Sequence, residues 1–104
     1  MKKLCCALLA LLPLSALAYP IEVEQQLNGA EVSYSTQDID EDLGAILLYN
    51  QGQTPAQCTA VFRNGPEAPR TRKALIEPGQ RANLSVKFTR SIIKLRIKLT
   101  CALK

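Results

Sequence analysis

A chain of 104 residues has room for one domain. It holds four cysteines but no histidine, which removes imidazole from any catalytic or metal-binding scheme. Its net charge of +4, two units of which come from Lys2 and Lys3, is too small to imply a general affinity for polyanions.

Residues 1–18 have the three parts of an export signal. Lys2 and Lys3 form a positive n-region, Leu4 to Leu14 an apolar h-region, and Ala16-Leu17-Ala18 a small-x-small cleavage site. The apolar run is too short for a membrane anchor, and Tyr19 stands where a bacterial lipoprotein requires cysteine. The expectation is a cleaved leader over 1–18 and a single domain over 19–104, placed in the periplasm or secreted. Cys5 and Cys6 leave with the leader. Cys58 and Cys101 remain, and an exported chain with two cysteines is expected to join them. Closing so long a loop is worth about 4 kcal/mol in the chain-entropy model.

Beyond the leader the pattern is that of strands. Ile21 to Leu27 and Ala30 to Thr36 flank Asn28-Gly29, a pair suited to the two positive φ angles of a type I′ hairpin. That register sets Val23 opposite Tyr34 and puts Ile21, Val23, Leu27, Val32 and Tyr34 on one face. Gln37 to Leu43 is an acidic connector. Gly44 to Asn50 is a continuous apolar run of the length of a central strand. After the loop Gln51 to Pro55, Ala56 to Arg63 alternates, with Cys58, Ala60 and Phe62 on one side. Asn64 to Pro69 holds two prolines and a glycine and reads as a surface loop. Thr71 to Glu77 and Ala82 to Thr89 flank Pro78-Gly79, which fits positions i+1 and i+2 of a type II turn. Leu84, Val86 and Phe88 face inward there.

The last stretch, Ile92 to Cys101, has a strict period of two. Ile93, Leu95, Ile97, Leu99 and Cys101 fall on one side; Lys94, Arg96, Lys98 and Thr100 fall on the other. Seven strands, no helix and closely spaced turn signals predict an all-β fold. The expected form is a small seven-stranded antiparallel immunoglobulin-like sandwich, with a partly open barrel as the alternative.

The stretch Ala45 to Val86 resembles the sandwich domains of the pilus-chaperone and related bacterial families. The shared features are a buried strand ending in Asn (Leu47-Leu48-Tyr49-Asn50), a polar turn, an apolar strand and a later Pro-Gly turn (Ile76-Glu77-Pro78-Gly79). The paired basic residues by which pilus chaperones grip a subunit's carboxylate cannot be placed in this sequence, so no chaperone activity is implied. The whole chain is also similar to short exported proteins of Gram-negative bacteria, some of which carry the name of phosphoglycerate kinase. Its residues do not support that activity: no Gly-rich phosphate loop follows a strand, and two lobes have no room.

Charge divides along the sequence. Tyr19 to Phe62 carries seven acids and no Lys or Arg, whereas Arg63 to Lys104 carries eleven basic residues and only Glu67 and Glu77 as acids. The plainer reading is that acidic and basic strands become neighbours and complement each other. The sharper reading is a basic face of Lys94, Arg96 and Lys98, with Lys87 alongside on an adjacent strand. Such a face suits lipopolysaccharide, another acidic envelope component or an acidic protein. With no aromatic among these residues, stacking on nucleic acid is disfavoured.

Enzyme chemistry finds little footing. Ser85, Ser91, Lys87 and Lys94 would have to supply a Ser–Lys dyad, but exposed Ser and Lys on strands are ordinarily solvated surface. Asp38, Asp40 and Asp42 have the opening spacing of a calcium loop, yet Leu43 replaces its glycine and Tyr49 its bidentate Glu. No metal or cofactor is expected. Asn83-Leu84-Ser85 matches a glycosylation sequon, an accidental match behind a bacterial-type leader. The expected function is a non-catalytic binding or accessory module of the bacterial envelope. The alternative is a small secreted enzyme inhibitor acting through a disulfide-braced loop such as Asn64 to Arg70.

Overall fold

The computed structural model describes residues 19–104, so the expected leader over 1–18 lies outside the described residues. Seven strands form: β1 (Ile21–Gln26), β2 (Val32–Asp40), β3 (Leu43–Asn50), β4 (Ala56–Asn64), β5 (Arg70–Ile76), β6 (Arg81–Lys87) and β7 (Leu95–Leu103). They make a four-stranded sheet in the order β1-β7-β4-β5 and a three-stranded sheet in the order β2-β3-β6. No helix is present among the described residues, so the all-β sandwich follows from the pattern of the sequence. The connectivity does not. An immunoglobulin constant-type sandwich sets strands 1, 2, 5 and 4 against 3, 6 and 7, whereas here 1, 7, 4 and 5 face 2, 3 and 6.

The core lies where the alternating faces meet. Cys58, Ala60 and Phe62 of β4 and Leu95, Ile97, Leu99 and Cys101 of β7 are buried from one sheet, and Ile46, Leu48, Leu84 and Val86 from the other. Sheet faces pack about 10 Å apart, and Gly44 marks a close approach between them. A Cβ added there would stand 2.5 Å from Leu95 Cδ2 and 3.3 Å from the Tyr19 hydroxyl. Tyr19 itself is buried, and its hydroxyl donates to Leu43 O at 2.7 Å. The packed domain therefore includes the first residue after the expected cleavage site.

The Asn28-Gly29 turn forms with the expected backbone, but it does not make a hairpin. Asn28 has φ 48° and Gly29 φ 90°, and Ala30 N donates to Leu27 O at 2.9 Å. The flanking strands then separate into different sheets. β1 runs parallel to β7, Ile21 beside Leu95 and Glu24 beside Lys98, while β2 pairs antiparallel with β3. Asn28 Nδ2 donates to Cys101 O at 2.9 Å, which fastens the turn to β7. At the edge of β7, Glu22 stands beside Arg96 and pairs with it and with Lys94, and Glu24 stands beside Lys98. Tyr34, expected in the core opposite Val23, is left 39% exposed.

Pro78-Gly79 repeats the lesson. Gly79 has φ 79° and Gln80 N donates to Glu77 O at 3.0 Å, as a type II turn requires. Yet β5 pairs with β4 and β6 with β3. Both turns carry the chain between sheets. The turn is held by buried Asn50, whose backbone exchanges bonds with Gln80 O and Gly79 N. Its side chain donates to Thr54 O and Ile76 O at 2.9 Å each and accepts from Gly52 N at 2.9 Å.

Two details correct the reading of the last strand. β7 begins at Leu95, and Ile93, expected on the buried face, is 84% exposed. Ile92 takes the buried place instead, with its N–H donating to Glu41 O at 2.7 Å. The expected Cys58–Cys101 disulfide is present, with both cysteines buried. It joins directly opposed residues of β4 and β7, neighbours in one sheet, and so lies within a layer rather than across the two.

Candidate anion-binding face

The outward side chains of the four-stranded sheet form one mostly basic surface. β7 contributes Arg96 and Lys98, preceded by Lys94; β1 lies on one side and β4 on the other. Register decides what each charge meets. Glu22 sits beside Arg96 and Glu24 beside Lys98. Lys94 Nζ reaches Glu22 Oε2 at 2.9 Å, and Arg96 Nε lies 3.7 Å from Glu22 Oε1. The Lys94 hydrogen bond, aided by the Lys94 and Arg96 charges, outweighs desolvation and holds the Glu22 carboxyl below its ordinary range. The complementing of acidic by basic strands is therefore real along this seam.

It stops at the next strand. Arg63 of β4 stands directly opposite Arg96, is exposed, and makes no ion pair among the described residues. Like charges directly opposite on one sheet face destabilise the pair. Glu22, Glu24, Arg63, Arg96 and Lys98, with Val23 and Ile97, line an open groove of about 350 Å³. A second depression of about 340 Å³ continues from it past Arg63, Arg96, Gly65 and Lys94. No family model matches this chain, and no curated protein matches it. The geometry alone therefore carries the argument.

Lys87 does not belong to this surface. It lies on β6 in the other sheet, where its Nζ is 3.3 Å from Asp42 Oδ2. The basic row of the sequence thus keeps Lys94, Arg96 and Lys98, loses Lys87 and gains Arg63. The signal for Arg63 was available. Once Cys58 and Cys101 are opposed in an antiparallel pair, counting five residues outward along each strand brings Arg63 to Arg96.

The other candidates fall in separate places. Asp38 and Asp40 end β2 at a bulge, and no group of three or more His, Cys, Asp or Glu is placed to hold a metal among the described residues. Ser85 and Lys87 lie exposed on β6, whereas Ser91 and Lys94 belong to the β6–β7 connection. The Asn64 to Arg70 loop is anchored by Glu67, whose carboxylate accepts from Arg90 N at 2.9 Å, Thr89 N at 3.2 Å and Asn64 Nδ2 at 3.2 Å. Burial acts to raise this carboxyl, but the two backbone donors and the nearby Arg70 and Arg90 charges prevail and lower it.

Proposed function

We propose that the protein is an exported, non-catalytic binding module that engages an acidic partner through the outer face of its four-stranded sheet. The observation that carries this reading is Arg63 opposite Arg96, two guanidinium groups on adjacent strands with Glu22 serving only one of them. A surface selected for stability alone would place an acid or a neutral residue across from Arg96. An anionic group bridging the two guanidiniums relieves the repulsion and uses the forked geometry of arginine. Export is supported by the leader pattern and by a disulfide that uses both cysteines of 19–104.

The test compares variants of equal charge. Binding of a short polyglutamate peptide to the exported protein, measured calorimetrically at low salt, is expected to weaken with ionic strength. Arg63→Gln should weaken it several-fold more than Lys104→Gln, with stability unchanged or slightly raised. Equal small losses for the two variants would reduce the effect to net charge and refute the face. The inhibitor reading retains one favourable observation, the bracing of the 64–70 loop by Glu67. In that case Pro69→Ala would abolish target inhibition while Arg63→Gln would not.

A further inference from the structure

We infer that the anionic partner is a lipid surface, docked through the end of the sandwich where the basic groove runs into an exposed apolar notch. The inference rests on the proposed basic face and assigns its ligand class. The notch, about 210 Å³, is lined by Pro66, Ile93, Asn64 and Gly65 between Arg90 and Lys94. It shares Gly65 and Lys94 with the cationic depression formed by Arg63 and Arg96. Cationic and apolar surfaces are therefore continuous, the order in which a phosphate headgroup and the acyl region beneath it are met.

Ile93 is presented, not merely left over. A single exposed aliphatic residue is ordinary on a protein surface, but this one is 84% exposed next to an isoleucine that is buried. Ile92 packs in the core with its N–H bonded to Glu41 O, and β7 starts two residues after Ile93 with Leu95 N bonded to Pro20 O. The backbone on both sides of Ile93 is pinned, which holds the residue outward and lowers the backbone ordering cost of docking. The surrounding charge is basic in excess: Arg63, Arg90, Lys94 and Arg96 stand against two carboxylates, Glu22, which pairs with Lys94 and Arg96, and Glu67. Glu67, the nearest loop acid in sequence, spends its carboxylate on Asn64 and the Thr89 and Arg90 amides. Neither Arg63 nor Arg90 makes an ion pair among the described residues. An acidic protein would satisfy the charges but has no specific need for the adjoining apolar tip. A lipid surface uses both.

The chain contains no tryptophan, so Ile93→Trp is a unique reporter. The exported, oxidised protein should co-sediment with phosphatidylglycerol vesicles and not with phosphatidylcholine vesicles, and salt should reduce the effect. Ile93→Trp emission should shift to the blue only with the anionic vesicles. Ile93→Ser should lower partitioning about tenfold through lost apolar burial without altering the thermal midpoint or polyglutamate binding, and Arg90→Gln about fivefold, with a far smaller loss of polyglutamate binding than Arg63→Gln shows. Polyglutamate binding without vesicle binding would overturn the lipid assignment and leave the basic face standing as a protein-binding surface. Loss of both would overturn the two together. Vesicle binding indifferent to Ile93→Ser and without a spectral shift would also overturn the inference, because charge alone would then explain it.

Discussion

Among single residues, the basic half of the sequence divides by what each side chain meets. Arg70 and Arg72 on β5 reach across to the other sheet, donating to Lys87 O at 3.4 Å and Ser85 O at 3.3 Å, and Arg70 lies 5.6 Å from the centre of the Phe88 ring. Lys94 and Arg96 share Glu22, Lys87 takes Asp42, and Arg63 and Arg90 are unpaired among the described residues. Glu22 is the residue through which this arrangement becomes sensitive to pH. Because its folded pKa is lowered from 4.5, its stabilisation is present above that value and is lost as pH falls through the lower folded value. In acid denaturation, Glu22→Gln should therefore be less stable than the parent near neutrality, with the difference vanishing at low pH. A difference that stayed constant down the acid limb would contradict the Glu22–Lys94 pairing. The pair is exposed, so its effect belongs to the small range of surface ion pairs.

At the level of elements, strand period and turn type acted separately. Asn28-Gly29 and Pro78-Gly79 determine local backbone, as their φ values show, yet neither joins two strands of one ladder. A turn fixes the reversal of the chain; which edge receives the next strand depends on what that edge offers. The meeting of β3 and β7 across the sandwich is set by Gly44, which leaves room for Leu95 and Tyr19. Gly44→Ala would gain helix and strand propensity in isolation, but here it forces a buried leucine aside. Overpacking of this kind costs about 1–3 kcal/mol, and chemical denaturation should show a lower midpoint at unchanged slope. An unchanged or raised midpoint would mean that the sheets can move apart freely at this point.

For the whole molecule, the disulfide and the arginine stitches hold different parts of the sandwich. The Cys58–Cys101 bond closes a loop of sequence separation 43 within the β4–β7 pair, while Arg70 and Arg72 close the side between edge strands β5 and β6 and occupy carbonyls of β6. Covered edges of this type discourage pairing with other chains. Cys58→Ser should cost about 2–5 kcal/mol, as in small secreted domains, and the protein should weigh two hydrogens less than the dithiol. Titration of both Cys58 and Cys101 as thiols in the native protein would contradict both expectations. The core of a domain this small buries a limited area, so loss of the bond is expected to lower the thermal midpoint by many degrees.

Strand content, the inward faces of β4, β6 and β7, both tight turns and the cysteine pair were legible in the sequence, because each depends on neighbours a few residues away or on a choice with one solution. Val86 must point inward if Leu84 does, and within 19–104 Cys58 and Cys101 can pair only with each other. Sheet membership was not legible, because it is a competition among edges distant in sequence. Glu22 gains Lys94 and Arg96 only when β1 leaves β2 for β7. The same competition exposed Tyr34, sent Lys87 to the opposite sheet and set Arg63 against Arg96. Ile93 shows the limit most sharply: its place in a perfect alternation put it inside, but β7 starts later and Ile92 fills the core. Periodicity assigns a side only once the strand has begun, and where a strand begins is decided by the packing around it.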